Sequence, residues 1–320
     1  MKAQLPRIVI VTRPTPLAML LRRFGTLDQA RFYVTSRGQD FERVQHIDAL
    51  QQQAVAAVLR AIPAEQRRAQ VTRDELDRFV FNGDDVVFAI GQDGLIPNVA
   101  KYLDGHLVVG FNPDPATVGG LLCKFVPADA PRVLAALAEK GSGAAAAPPS
   151  LAPFVLEQRA MVVAEREDGQ KLLALNELFV GHRTHQSAKY RVSVPDTGAH
   201  ERQSSSGVII STGTGATGWT ASIVRQRGIR EPLPAPTERR LAYMVREPWP
   251  SIATGTEVNF GFLAEGEVLT LASEMEEGGV IFGDGIEADY LEFNEGQTVT
   301  VRLAERALHL LAPAPTESVQ

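Results

Sequence analysis

The chain changes character near its middle, and that change restricts the possible fold more than any other feature. Up to about residue 125, short apolar runs alternate with helix-like stretches; beyond Pro153, strand-like runs crowd together. Arg7 to Thr12, Asp85 to Ile90 and Leu107 to Phe111 are continuous apolar or β-branched runs. Unbroken runs of this kind suit strands buried on both faces of a parallel sheet. Ile47, Leu50, Ala54, Val58 and Ile62 recur at spacings of three and four, which predicts a helix over His46 to Ile62 ending before Pro63. A second helix is expected over Pro131 to Lys140. Residues 1–140 are therefore read as an α/β domain, a parallel sheet with helices on both faces.

Gly141 to Ser150 contains only Gly, Ser, Ala and Pro, so 141–152 reads as a linker. After it come the runs Val155 to Glu165, Leu172 to Val180, Tyr190 to Val194, Val208 to Ser211, Val258 to Phe262, Val268 to Ala272, Val280 to Phe282 and Thr298 to Leu303. Turns such as Glu167-Asp168-Gly169, Pro195 to Gly198 and Glu276 to Gly279 separate some of them. An all-β C-terminal domain, a sandwich or stacked sheets, is expected over 153–295. Residues 296–320 form a C-terminal segment that can return to the N-terminal domain. A cleft between two such domains is a usual place for a ligand.

Composition removes several classes of function. The formal net charge is −6, with 38 acidic against 32 basic residues, so nothing favours binding to a nucleic-acid backbone. A single cysteine, Cys123, excludes an internal disulfide and a multi-cysteine metal site, and it is read as a packed residue. No apolar stretch is long enough to span a membrane. Lys2, Arg7, Arg13, Arg22 and Arg23 precede the first acid, Asp28, a faint transit-peptide character. However, Ile8 to Val11 reads as a buried strand, and Pro14 and Pro16 oppose one amphipathic helix. The expected setting is cytoplasmic. His182 and His185 lack a third partner at ligand spacing, so no protein metal site is expected.

Three elements could carry chemistry. Gly91-Gln92-Asp93-Gly94 follows the run ending at Ile90. That is where ligands bind in open α/β sheets, and glycines there allow close backbone approach. Asp93 could orient a hydroxyl or hold a metal, or the segment could be an ordinary Asp-Gly turn. Gly213-Thr214-Gly215-Ala216-Thr217-Gly218 matches the dinucleotide pattern but lies in the β-rich half, outside a βαβ unit. Its amides, with Thr212, Thr214 and Thr217, could bind phosphate or ribose, and Trp219 offers a face to a base; a plain strand-to-helix turn explains it equally. Asn176-Glu177 offers donors and acceptors suited to ribose hydroxyls, or is a solvated strand edge.

In this order the elements resemble NAD kinases, from about Arg7 to Leu311. The family carries Gly-Gly-Asp-Gly, then Gly-x-Asn, Asn-Glu, a Thr-Gly-rich loop and a late Asp-Gly. Here these read Gly91 to Gly94, Gly110-Phe111-Asn112, Asn176-Glu177, Ser211 to Gly215, and Asp284-Gly285. Val109 to Pro115, Gly120 to Cys123 and Ala174 to Glu177 look most like the mitochondrial-type branch.

The resemblance implies transfer of a phosphoryl group from ATP or inorganic polyphosphate, with Mg²⁺, to the 2′-hydroxyl of the adenosine ribose of NAD. It implies that Asp93 engages that hydroxyl and that Gly91, Gln92, Gly94 and Asn112 form the surrounding nucleotide-binding turn. Asn176 and Glu177 would contact NAD. Thr212, Thr214, Gly215, Thr217, Gly218, Trp219 and Ser222 would line the nucleotide. It also implies a homo-oligomer, dimer or tetramer.

Ser206 stands where many bacterial members have Asp, and Trp219 where Tyr is frequent. Gln92 replaces the second glycine of the motif, and Leu95 the usual Thr. If position 92 needed a left-handed backbone, its Cβ would cost about 1–2 kcal/mol; alternatively its amide could donate to a phosphate. Leu95 removes a hydroxyl. These departures leave open an NAD(P)-binding or sensing protein without turnover, and a kinase of the same fold acting on a lipid or small diol. A dehydrogenase is opposed by the misplaced glycine pattern.

Overall fold

The structure, a computed structural model, describes residues 6–141, 153–194, 198 and 200–314. The expected 141–152 linker lies almost entirely outside the described residues. The chain forms two compact units, one of residues up to Glu157 together with those from His309, the other of Gln158–Leu308.

The first unit contains β1 (Ile8–Thr12), α1 (Pro16–Phe24), α2 (Leu27–Thr35), α3 (Phe41–Ala61), β2 (Arg68–Thr72), β3 (Val86–Ile90), α4 (Leu95–Ala100), β4 (Leu107–Phe111), α5 (Ala130–Gly141) and β5 (Phe154–Arg159). Its sheet is completed by the last strand of the chain, β18 (Leu308–Pro313), in the order β2-β1-β3-β4-β18-β5. The pairs β1–β2, β1–β3, β3–β4 and β4–β18 are parallel. Both faces are buried, as the unbroken runs predict. Ile8, Ile10, Phe88, Ile90 and Val109 pack with Ala54 and Val58 of α3 and Val133 and Leu137 of α5, while Val9, Val11, Val87 and Ala89 are buried on the other side. Arg7 and Asp85 clamp the starts of β1 and β3, with Nε donating to Oδ1 at 2.9 Å. The order places β1 and β3 side by side while the chain leaves them in opposite directions, a switch point that opens a crevice at their carboxyl ends.

The leader is not one helix: β1 ends at Thr12, and a separate helix, α1, starts at Pro16, where a missing N–H costs nothing and the Thr15 hydroxyl accepts from Ala18. One expectation is corrected here. The helix expected from His46 begins at Phe41, because Asp40 caps it through the amides of Glu42 and Arg43.

The second unit carries β6 (Val162–Arg166), β7 (Lys171–Ala174), β8 (Glu177–His182), β9 (Ala188–Ser193), β10 (His200–Ser205), β11 (Val208–Ser211), α6 (Trp219–Arg227), β12 (Arg240–Val245), β13 (Phe260–Ala264), β14 (Leu269–Ser273), β15 (Gly279–Gly283), β16 (Tyr290–Glu292) and β17 (Thr298–Leu303). Two sheets, β10-β9-β14-β17-β6-β7 and β13-β12-β11-β8-β15-β16, share one core. Val162, Tyr190, Leu271 and Val301 of the first meet Leu178, Ile210, Tyr243 and Ile281 of the second. Among the described residues the strand pairings of these two sheets are antiparallel.

Two long runs break. Val155 to Glu165 divides at Ala160–Met161, and Leu172 to Val180 divides at Leu175–Asn176. Asn176 is therefore not inside a strand; it sits at a junction, with Glu177 as the first residue of β8.

Candidate functional site

Within the first unit, Asp93 follows β3 by three residues, and its carboxylate is held by a run of backbone amides. Oδ2 accepts from Leu121 at 2.7 Å; Oδ1 accepts from Leu122 at 3.0 Å and Cys123 at 2.8 Å. A carboxylate has about four lone-pair directions. Three are occupied, leaving one on Oδ2.

Asn112 holds the same loop from the other end. Its Nδ2 donates to the Val118 carbonyl at 2.7 Å, its Oδ1 accepts from Asp114 at 3.0 Å, and its own amide donates to Phe125 at 2.7 Å. The Asn112 side chain is buried and spent on the loop. Gly110 is required by packing: a Cβ there would meet the backbone of Leu122 and Cys123. Cys123 is buried, and burial, then the nearby Asp93 carboxylate, pushes its thiol well above its ordinary range.

The two departures from the family pattern take a definite form. Gln92 does not have a left-handed backbone, since only Glu247 and Asp284 among non-glycine described residues have positive φ. The expected strain is absent, and the Gln92 side chain is exposed. Leu95 opens α4 fully buried, with Cδ2 against Gly91, so position 95 faces the interior of the fold. A cavity of about 320 Å³ lies beside the turn, lined by Gly91 and Gln92 among others.

Within the second unit, a second carboxylate does for the β7–β8 junction what Asp93 does for its loop. Asp284 accepts from Leu175 at 3.1 Å and from Asn176 at 2.7 Å, and its amide donates to the Glu177 carbonyl at 3.0 Å. It adopts a left-handed φ of 56° to do so. Thr212 is the hub of the neighbouring loop. Its buried hydroxyl donates to Leu175 at 2.6 Å and accepts from Thr214 at 3.1 Å and Gly215 at 3.4 Å. Its amide donates to the Asn176 carbonyl at 2.9 Å. Gly215 lies so close to that carbonyl that a Cβ would overlap it. Asn176, Glu177, Thr212, Thr214, Gly215 and Asp284 thus form one constellation.

Two side chains of that constellation are left for a ligand. Among the described residues neither the Asn176 carboxamide nor the Glu177 carboxyl has a hydrogen-bond partner. The Glu177 carboxyl is pushed up to about 7, first by burial and then by the Asp284 charge. Thr214 is less free, because its hydroxyl accepts from Arg159 at 3.4 Å.

Gly215 to Thr217 is a 3-10 turn leading through Gly218 into α6. Trp219, its first residue, stacks on Phe179 at 6.0 Å between centroids, and the Arg246 guanidinium lies 4.9 Å from the ring centre. Trp219 and Arg246 line two cavities, of about 490 and 670 Å³; Ser222 lines the smaller and Ser206 the larger.

Sequence reasoning did not assign Arg246 or the amides of 121–123 a role, and it noted Asp284 only as part of an Asp-Gly pair. That pair was the available signal for Asp284. Nothing in sequence marks Arg246, which reaches Trp219 through the fold.

These features define a class: a parallel α/β unit with an amide-held acid beyond a central strand, joined to an antiparallel sandwich with an Asn-Glu junction and a Thr-Gly loop. Solved structures share this fold over nearly the whole chain. Yeast NADH kinase complexed with NADH matches with a TM-score of 0.58, 14% identity, and 98% of this chain and 84% of that one covered. An NAD kinase from Archaeoglobus fulgidus in complex with ATP matches with a TM-score of 0.54, 15% identity, and coverage of 96% and 93%. At these identities the likeness is one of fold. No protein-family model matches the chain.

In sequence, the mitochondrial NAD kinase 2 of Homo sapiens is 31% identical, over 48% of this chain and 42% of that protein. That of Rattus norvegicus is 30% identical, over 48% and 44%. The chain thus spans less than half the length of the curated relatives it matches. The likeness to NAD kinases is thus one of fold over nearly the whole chain and of sequence over about half of it.

Proposed function

We propose that the protein is an NAD kinase, phosphorylating the 2′-hydroxyl of the adenosine ribose of NAD to give NADP, with ATP or inorganic polyphosphate as donor. The observation that carries this reading is the Asp93 carboxylate, held beyond β3 by three amides with one lone pair to spare.

In the proposed step the ribose 2′-oxygen bonds to the terminal phosphorus of the donor as the bond from that phosphorus to the leaving oxygen breaks. The hydroxyl proton passes to Oδ2 of Asp93 and then to water. Phosphoryl transfer proceeds through a loose transition state, so orientation of the hydroxyl counts for more than strong basicity. A carboxylate already holding three donors is rigid and has one direction in which to accept that proton.

Asn176 and Glu177, the unpartnered pair at the β7–β8 junction, contact NAD in this reading. Thr214, Thr217, Gly218, Trp219 and Ser222 line its adenosine half. Gly91, Gln92 and Gly94 face the donor phosphates. Asn112, Thr212 and Gly215 act by holding these segments in place. Among the described residues no group of three or more His, Cys, Asp or Glu side chains converges on a point. The Mg²⁺ would arrive on the donor's own phosphates, which need only one or two protein carboxylates to hold it.

A homo-oligomer, dimer or tetramer, and a cytoplasmic setting belong to the same proposal. Among the described residues no helix is long and apolar enough to cross a membrane.

The test is the full chain with NAD, Mg²⁺ and either donor, reading NADP with an NADP-specific dehydrogenase. Asp93→Asn is expected to lower kcat by about 10²–10⁴-fold, with NAD binding retained. Because Asn leaves the Leu121 amide facing an NH₂, the melting temperature is measured alongside. Full activity of Asp93→Asn, or no NADP from either donor, would overturn the reading. Binding of NAD without turnover would select a sensor instead.

A further inference from the structure

Trp219 and Arg246 line two cavities of the second unit, which therefore meet at this pair. The smaller, of about 490 Å³, also takes Ser222, Gln226 and Asn259; the larger, of about 670 Å³, takes Phe179, Phe282 and Tyr290. Both volumes fall within the range of small-molecule sites, about 300–1,000 Å³.

Arg246 is firmly placed at the meeting point. It follows the last residue of β12, its amide donates to the Gly207 carbonyl at 2.8 Å, and its carbonyl accepts from Ser206 at 2.9 Å. The next residue, Glu247, has a left-handed φ of 44° although Pro248 follows it. Non-glycine residues are uncommon in that region, so the turn that ends β12 is a costly one. The guanidinium rests against the Trp219 ring, 4.9 Å from its centre, and Trp219 in turn stacks on Phe179 with 18° between the planes. An aromatic backing holds a guanidinium in place while leaving its N–H fork for an anion.

That fork is largely unspent. Among the described residues Arg246 makes no ion pair, and its side chain makes one long hydrogen bond, from Nη1 to the Ser206 carbonyl at 3.4 Å. Arg227, the other cation of the smaller cavity, is occupied by the Val245 and Asn259 carbonyls. Arg183 lines the larger cavity and not the smaller. Arg246 is thus the cation that serves both.

A ligand that fills both cavities has to cross from one to the other beside Arg246. NAD is two nucleosides joined by a pyrophosphate, so its negative charge falls at the crossing, where a guanidinium matches phosphate oxygens. We infer that Arg246 holds the pyrophosphate of the acceptor, with the adenosine half in the cavity of Ser222 and the nicotinamide half in the larger one, and that this contact selects a dinucleotide. The inference rests on the kinase reading and deepens it, giving the two charges of the acceptor a partner that no sequence motif marks.

The test is calorimetric titration of the full chain with NAD and with ADP-ribose, which keeps the pyrophosphate, at low and at high salt. Arg246→Gln is expected to weaken both ligands about tenfold at low salt, a loss of about 1.4 kcal/mol. It is also expected to flatten the salt dependence of binding, because the screened interaction is gone. Arg246→Lys keeps the charge without the fork and is expected to fall between the wild type and Arg246→Gln, and it replaces the latter should that variant melt early. Arg225→Gln, exposed on the same helix as Ser222 and lining neither cavity, leaves NAD within about twofold. In turnover Arg246→Gln raises KM for NAD and keeps kcat within about twofold.

An unchanged NAD affinity in Arg246→Gln, a loss that keeps the wild-type salt dependence, or an equal loss in Arg183→Gln would overturn the inference. NADP formation with KM unchanged in Arg246→Gln would overturn it and leave the kinase reading standing. NAD binding that follows Arg246 as expected, without NADP formation from either donor, would do the reverse. A wild type that does not bind NAD would overturn both.

Discussion

Asp93 and Asp284 solve the same problem in separate places: each gathers backbone amides that would otherwise lack partners, and each thereby fixes a loop. Both stand in Asp-Gly pairs, so both were visible in the sequence. Their partners were not. Asp93 takes its donors from 28 to 30 residues away, and Asp284 from 108 and 109. Spacing along the chain says nothing about such pairings. Leu95 shows the opposite failure, since a missing hydroxyl looks chemical until burial shows the position faces the core.

Glu177 is a carboxyl that burial and the Asp284 charge move up toward neutrality. Its carboxyl titrates near 7 in the folded chain against about 4.5 when exposed. Between those values the folded state holds the extra proton, so stability falls as pH rises from about 4.5 to 7 and then levels. Glu177→Gln removes that titration. It is expected to match the wild type in thermal stability below pH 4 and to exceed it by roughly 1–3 kcal/mol at pH 8. Melting temperatures that show no difference growing with pH would refute this.

Among the elements, the β7–β8 junction takes the partners of both its amides from a single side chain. Leu175 and Asn176 interrupt what looks in sequence like one strand, and Asp284 satisfies the amides freed by the interruption. Hydrogen bonds to a charged acceptor contribute about 1.5–3 kcal/mol each. Asp284→Ala is expected to destabilise the chain by about 3 kcal/mol or more in denaturant unfolding, and Asp284→Gly to recover about 1 kcal/mol by relieving the left-handed backbone. A loss under 1 kcal/mol in Asp284→Ala would show that the junction is held otherwise.

The elements that sequence reading missed have a common cause in part. β2, Arg-Ala-Gln-Val-Thr, and β10, His-Glu-Arg-Gln-Ser-Ser, are edge strands. Edges are polar because exposure and avoidance of unwanted pairing select for it, and so they carry little periodic signal. The central strands β1, β3 and β4, buried on both faces, were legible as runs. The site turn after β3 was legible because it follows one of them.

For the whole molecule, the telling feature is where β18 sits. It lies inside the first sheet, between β4 and β5, pairing Leu310 with Val108. Its side chains Leu310, Leu311 and Ala312 are fully buried. Removing residues from His309 onward would leave β4 and β5 without their shared neighbour. Such a truncation is expected to remove the cooperative unfolding of the first unit, read by hydrogen exchange at Val87 to Ala89, while amides of the second unit around Ile209 and Leu271 keep their protection. Equal loss in both would show that the two units do not fold separately.

Because β5 and β18 are adjacent in the sheet, the second unit enters the chain as an insertion of about 150 residues between neighbouring strands. On a ribosome adding about 5–20 residues per second, β1 to β5 would wait roughly 10–30 s for the strand that closes their sheet. Throughout that interval the nascent chain presents unpaired strand edges beside apolar side chains, so its yield in a cell should depend on holdase chaperones far more than its finished stability suggests.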